Sequence, residues 1–221
     1  MLPDVLAALP VRPFAVMNAV GLVAFALVGA TKAIREQFDL FGVTVVGLAT
    51  AFAGGATRDV LVGRVPLVLR SFGEISLALV GVALAVCAHV ALDAADEHPA
   101  TLAADGVGLA AFATTGAIVA TNAGVSGFGV VAVATINAVG GGALADILLG
   151  RQPFVLFDDF YASCALLGGL AYWLTAGIGG HPGPAAAVCA GVTVCTRLLA
   201  VSLDWHLPTA QRLGRRWRRR R

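Results

Sequence analysis

Two aspartates sit inside apolar stretches, where a charge is costly. Asp59 follows the run Gly54-Gly55-Ala56-Thr57-Arg58, and Asp146 follows Gly140-Gly141-Gly142-Ala143-Leu144-Ala145. Each lies four positions after the last glycine of its cluster, about one helical turn, so each shares a face with that glycine. A charged side chain near the bilayer centre costs about 2.5–3.5 kcal/mol on insertion scales. Two such groups imply water, a partner or an ion beside them; an Arg58–Asp59 pair that only stabilises packing is the other reading. The halves are not equivalent, because Lys32 and Arg58 of the first correspond to Val119 and Ala145 of the second. That asymmetry suggests that Arg58 reaches across to Asp146, forming a pair that would sense membrane potential. Thr135 and Asn137 precede the triple glycine, and hydroxyls and amides can replace part of an ion's hydration shell. All of this points to ion handling. His89, His98, His181 and His206 form no cluster, Cys87, Cys164, Cys189 and Cys195 lack metal-ligand spacing, and no catalytic triad or phosphate loop is present. The chain is therefore read as a non-enzyme with no metal or cofactor, its cysteines as small buried hydrophobes.

The elements that must hold these residues are apolar helices. Of 221 residues, 58% are hydrophobic and 13% charged, against about 25% charged in soluble domains, and the mean hydropathy is +0.87. Spanning the hydrocarbon takes about 20 apolar helical residues. The runs predict seven helices, at about 14–34, 43–62, 74–93, 104–122, 127–149, 160–178 and 185–204. Their continuous apolarity excludes the alternating pattern of a lipid-facing strand. The first run lacks a basic leader and is long enough to span, so it reads as a helix of the protein and not as a signal peptide. Arg212 to Arg221 holds seven of the 15 basic residues, leaving 8 basic against 13 acidic in the rest. A basic tail stays cytoplasmic, which puts the C-terminus inside and, with seven spans, the N-terminus outside. Lys32, Arg35 and Arg151 agree with that orientation, whereas Arg12, Arg64 and Arg70 do not. The tail reads as an anchor near anionic lipid and not as a nucleic-acid binder; Trp205 and Trp217 suit an interfacial belt.

The chain also repeats itself. Val20 to Ala30 matches Val107 to Ala117, Phe41-Gly42-Val43 matches Phe128-Gly129-Val130, and Gly54 to Pro66 matches Gly141 to Pro153, all at an offset of 87 without a gap. The plan is one transmembrane domain: repeat one at about 14–93, repeat two at about 104–178, a seventh helix at about 185–204 and a basic tail over 205–221. Three helices per unit make the repeats inverted, and inverted repeats with glycine-interrupted helices place a site at their midplane interface. The second and fifth helices are predicted to break at Gly54-Gly55 and Gly140-Gly141-Gly142, exposing backbone to a water-filled cavity. Close helix packing is the alternative reading of one glycine pair. Gly63-Arg-Val-Pro66 and Gly150-Arg-Gln-Pro153 read as helix stops.

The duplicated three-plus-three-plus-one plan, with Gly54 to Asp59 and Gly140 to Asp146 each followed by Gly-Arg-x-Pro, resembles the prokaryotic trimeric intracellular cation (TRIC) channels. Those sequences are also grouped with bacterial glycine-transporter-like membrane proteins. The resemblance extends to about Asp204. It implies a homotrimer in the bacterial inner membrane, with one pore per protomer between kinked helices 2 and 5 passing potassium as the permeant ion. Asp59 and Asp146 would then border the pore, with Arg58, Lys32, Asn137 and Thr135 beside it. Ala145 in place of a second arginine departs from a symmetric Arg-Asp pair. The alternative is a secondary transporter of a small amino acid such as glycine, because inverted repeats also build carriers.

Overall fold

The computed structural model describes residues 13–92, 99–156, 160–178, 182–205 and 207. Arg12, His98, His181, His206, Trp217 and the arginines from Arg212 onward lie outside the described residues. Among the described residues there are seven α-helices and no strand: α1 Pro13–Arg35, α2 Leu40–Leu61, α3 Phe72–Leu92, α4 Pro99–Asn122, α5 Gly127–Leu148, α6 Tyr161–Gly177 and α7 Pro182–Ser202. Six are long and apolar enough to cross a membrane. The other, α6, has 17 residues, at the lower edge of the ~17–25 that span a bilayer.

The 87-residue offset in sequence is an offset in structure. The turns before α2 and α5 both use a residue in the left-handed region, Gln37 (φ 59°) and Gly124 (φ 72°). Both helices are then capped at the equivalent position: Gly42 N donates to Asp39 Oδ1 at 2.7 Å, and Gly129 N donates to Ser126 Oγ at 3.3 Å. Such caps satisfy one of the orphan amides of a helix start. Both helices end alike, with Gly63 (φ 71°) and Gly150 (φ 69°) past the last turn. Arg64 N donates to Asp59 O and Arg151 N to Asp146 O, each at 2.8 Å, the wider bond of a Schellman motif. The Gly-Arg-x-Pro motifs are thus helix stops, each leading into a one-turn 3₁₀ segment, Leu67–Leu69 or Phe154–Leu156.

Helices α1 and α4 form the centre, with 50% and 67% of their spanning windows buried. A methyl group built on Gly21 would meet Phe112, and one on Gly108 would meet Phe25. This reciprocal register, 21 with 112 and 25 with 108, is that of two antiparallel helices about a pseudo-twofold axis. The Phe25 and Phe112 rings meet edge to face on it, with centroids 5.0 Å apart. Without a hydrophobic drive between helices in lipid, such close approach at small residues supplies much of the association.

The glycine clusters act the same way, and this corrects the expectation that helices 2 and 5 are broken. Both α2 and α5 run as unbroken α-helix through Gly54-Gly55 and Gly140-Gly141-Gly142. The clusters are where the two helices cross backbone to backbone. A methyl on Gly54 would lie 2.0 Å from Asn137 O, one on Gly141 would lie 2.0 Å from Thr50 O, and one on Gly140 would lie 3.2 Å from Gly54 Cα. Positions 54 and 141, like 50 and 137, differ by 87, so the crossing obeys the same axis. Gly54, Gly140 and Gly141 are needed for approach, and the hydrogen-bond ladder stays intact.

Candidate functional site

Each repeat builds a cavity at the end of α2 or α5, and the aspartate explains why. Asp59 Oδ2 accepts from Leu67 N at 2.8 Å, and Asp146 Oδ2 accepts from Phe154 N at 3.1 Å. Each carboxylate therefore holds the returning 3₁₀ turn with one oxygen and keeps the other for a cation. That second oxygen is engaged differently in the two halves. Arg58, beside it in sequence, donates to Asp59 Oδ1 through Nε and Nη2, both at 2.8 Å. Asp146 Oδ1 accepts instead from Lys32 Nζ of α1 at 2.8 Å. The expected Arg58–Asp146 bridge is thus replaced by two separate pairs: Arg58 folds onto its neighbour, and Lys32 fills the role that Ala145 leaves open. Both aspartates are almost wholly buried, where an unpaired carboxylate would be expensive.

A second polar pair stands beside each aspartate. Asn18 Nδ2 donates to Glu74 Oε2 at 2.7 Å, and Tyr161 Oη donates to Asp105 Oδ1 at 3.0 Å. Positions 18 and 105, and 74 and 161, again differ by 87. The hydrogen bond is kept while the carboxylate changes helix: it lies on the third helix of the first unit and on the first helix of the second. The first vestibule is lined by Asn18, Arg58, Asp59, Leu67, Glu74 and Phe112 among others, and holds about 20 Å³, room for about one water. The second is lined by Lys32, Arg35, Asp105, Asp146, Arg151 and Phe154 among others, and holds about 510 Å³. At its mouth Arg151 Nη2 bridges to Glu36 Oε1.

The vestibules lie at opposite ends of the α1–α4 core. Asn18 and Lys32 are 14 residues apart on α1, about 21 Å at the helical rise, and Phe25 stands midway between them. The residues at that level are fully packed. Asn137 Nδ2 donates to Phe112 O and to Thr115 Oγ1, the latter at 2.9 Å, tying α5 to α4. Its Oδ1 is buried with no hydrogen-bond partner among the described residues. Thr50 and Thr135 hydroxyls donate to Val46 O and Val131 O one turn back in their own helices. Of the residues singled out from sequence, Lys32 and Asp146 meet in one cavity, Arg58, Asp59 and Gly55 in the other, and Asn137, Gly54, Gly140 and Gly141 in the packed level between, while Gly142 faces Phe154. Thr135 lies outside both linings. The cysteines remain separate thiols; Cys164 and Cys189 are buried as expected, whereas Cys87 and Cys195 are exposed on the helix bundle. Asn18, Glu74, Asp105 and Tyr161 were not singled out, although applying the 87-residue offset to polar positions would have paired them.

Comparison with known proteins agrees with this duplication. The family model described as glycine transporter matches twice, over residues 15–90 and 102–177. The chain is 41% identical over 163 residues to a UPF0126 membrane protein of Deinococcus radiodurans, covering 72% of this chain and 75% of that protein. It is 34% identical to the UPF0126 membrane protein YvgT of Bacillus subtilis, covering 87% of this chain and 94% of the relative. Among solved structures it is similar to a TRIC cation channel studied for its conductance, at 34% identity and a TM-score of 0.80, covering 89% of this chain and 96% of that one. It is also similar to the TRIC trimeric intracellular cation channel orthologue from Rhodobacter sphaeroides, at 28% identity and a TM-score of 0.76, covering 87% and 98% of the two chains. The chain belongs to the membrane-protein family described as glycine transporter, with its UPF0126 relatives, and carries the fold of the prokaryotic TRIC channels.

Proposed function

We propose that this protein is a monovalent cation channel with potassium as the permeant ion and one path in each protomer of a homotrimer. The observation that carries the reading is the pair of vestibules at opposite ends of one core, each holding a buried aspartate anchored in the same way. The 34% identity to a TRIC cation channel across 89% of the chain supports it, and the trimer is taken from the description of the Rhodobacter relative. The path is not the one expected between helices 2 and 5, which touch backbone to backbone at Gly54 and Gly141; it runs from the Lys32–Asp146 vestibule past Phe25 and Phe112 to the Arg58–Asp59 vestibule, and is closed in the arrangement described above. Conduction requires the two rings to turn and Arg58 to leave the first vestibule. Asn137 Oδ1, a buried acceptor at the middle, offers a passing ion an oxygen in place of water. The bacterial inner membrane is the proposed location, following relatives such as the UPF0126 inner membrane protein YadS of Escherichia coli. The arginine tail sets the C-terminus inside and the N-terminus outside.

Planar-bilayer recording of the purified chain tests this. The expected result is unitary current whose reversal potential follows the potassium gradient, reduced severalfold in Asp146→Asn. Absence of unitary current together with saturable glycine counterflow in vesicles would replace the channel by a carrier. That second reading is favoured by the description of the matched family and by cations and carboxylates sharing the larger vestibule, as a zwitterion requires.

A further inference from the structure

Helix α7 has no counterpart in the duplication, and it alters the second repeat in a specific way. In the first repeat Gly81 of α3 packs on α1, where a methyl would meet Val23 O at 2.4 Å and Ala26 Cβ at 2.7 Å. Its equivalent, Gly168 of α6, packs instead on α7, where a methyl would meet Thr193 Oγ1 at 2.0 Å and Cys189 O at 3.0 Å. The extra helix thus takes the close contact with α6 that the first unit reserves for its own first helix.

It also delivers a charge. Arg197 of α7 is 6% exposed. Its stem passes Gly106, where a methyl would lie 3.7 Å from Arg197 Cγ. Its guanidinium carbon sits 4.8 Å from the centroid of the Tyr161 ring, the ring whose hydroxyl bonds Asp105. Tyr161 meets Phe154 edge to face at 4.8 Å, and Lys32 Nζ stands 5.0 Å from the Phe154 centroid while pairing with Asp146. Cation, ring, ring and cation form a continuous chain of contacts. The second vestibule is therefore lined by two carboxylates: Asp146, in direct contact with Lys32, and Asp105, bonded by a phenol whose ring carries Arg197 on its face. Arg35, Arg151 and Glu36 stand nearer the mouth.

We propose that Arg197 is a specificity-determining residue of the path, preventing the second vestibule from trapping divalent cations. The inference rests on the channel reading given above. Hard divalent ions prefer several carboxylate and hydroxyl oxygens, and conduction needs binding weak enough for the ion to leave. Asp105 and Asp146 line one cavity and would supply such oxygens, with the Tyr161 hydroxyl bonded to Asp105 from behind it. A fixed positive charge behind Tyr161 lowers the attraction for a doubly charged ion more than for a singly charged one, because the repulsion scales with the ion's charge.

The test uses Mn²⁺ with the purified full-length chain, reading binding from loss of the free-ion electron paramagnetic resonance signal and block from potassium current with Mn²⁺ on both sides. Arg197→Gln is expected to bind and be blocked at Mn²⁺ concentrations at least tenfold lower than wild type. Arg197→Lys should stay near wild type, and Arg197→Gln with Asp105→Asn should return to it, which a merely structural role for Arg197 would not produce. A folded Arg197→Gln with unchanged Mn²⁺ affinity, or a raised affinity that survives Asp105→Asn, overturns the proposal. If Arg197→Gln does not fold, Arg197→Met, which keeps the apolar stem beside Gly106, takes its place: raised Mn²⁺ affinity that Asp105→Asn reverses supports the proposal, and unchanged affinity overturns it. Wild-type protein that carries no current yet shows this order of Mn²⁺ affinities would refute the channel reading and leave the role of Arg197 standing.

Discussion

The two vestibules are the same construction filled differently. In both, an aspartate one turn before the helix stop holds a 3₁₀ turn by its backbone amide, and a hydrogen-bonded polar pair stands alongside. In the first, the Arg58 side chain occupies the space, its residue only 2% exposed, and about 20 Å³ remains. In the second, Ala145 stands in its place, the cation arrives from another helix with 20% of its side chain exposed, and about 510 Å³ is open. One arginine in a duplicated frame goes with a plugged end and one alanine with an open end. The aspartates themselves are architectural first: each ties a 3₁₀ turn to its helix with one oxygen and pairs with one cation through the other.

The largest test of this contrast is removal of each cation. Arg58→Met leaves Asp59 buried beside no cation and should destabilise the protein by about 3–5 kcal/mol, the range for breaking a buried pair. Lys32→Met leaves an equally buried Asp146 beside the larger cavity, where water can take the place of the lost donor, and should cost less, about 1–3 kcal/mol. Equal losses in reversible unfolding of the two variants would break the comparison. A smaller effect should show where the repeats agree. Gly54→Ala and Gly141→Ala each drive a methyl into a carbonyl across the helix crossing, and each should cost about 2–3 kcal/mol by overpacking. Melting temperatures lowered by unequal amounts would show that the crossing lacks the symmetry described. The smallest effect concerns the caps. Asp39→Ala, with its 2.7 Å bond, should cost about 1 kcal/mol, and Ser126→Ala, at 3.3 Å, about 0.5 kcal/mol. Hydrogen exchange at the first turns of α2 and α5 would read this difference.

Much of this arrangement is legible in the chain before any coordinate is known, and the misreadings are instructive. The ends of α2 and α5 fell close to the expected positions because Gly63 and Gly150 past the last turn are local signals; the caps Asp39 and Ser126 are local signals too, but the expectation did not rest on them. The glycine clusters were expected to break their helices and instead let them touch. A glycine inside an apolar run serves either purpose, and only the facing backbone of Asn137 or Thr50 decides between them. The asymmetry of the halves, with Ala145 leaving Asp146 no basic neighbour in sequence, suggested that Arg58 crosses to Asp146; its long side chain instead folds onto Asp59, and Lys32 of α1 reaches Asp146. Arg197 lies beyond the second repeat, so no internal comparison could draw attention to it.

What the one-dimensional text determines is the number of apolar spans, their duplication and the odd count that inverts the second unit, because length, hydropathy and self-similarity are properties of order along the chain. Which cation meets which carboxylate, and how much room is left beside it, depends on how far side chains reach between helices and on where the unpaired α7 wedges in. Those are distances between residues remote in sequence, and only the packed bundle sets them.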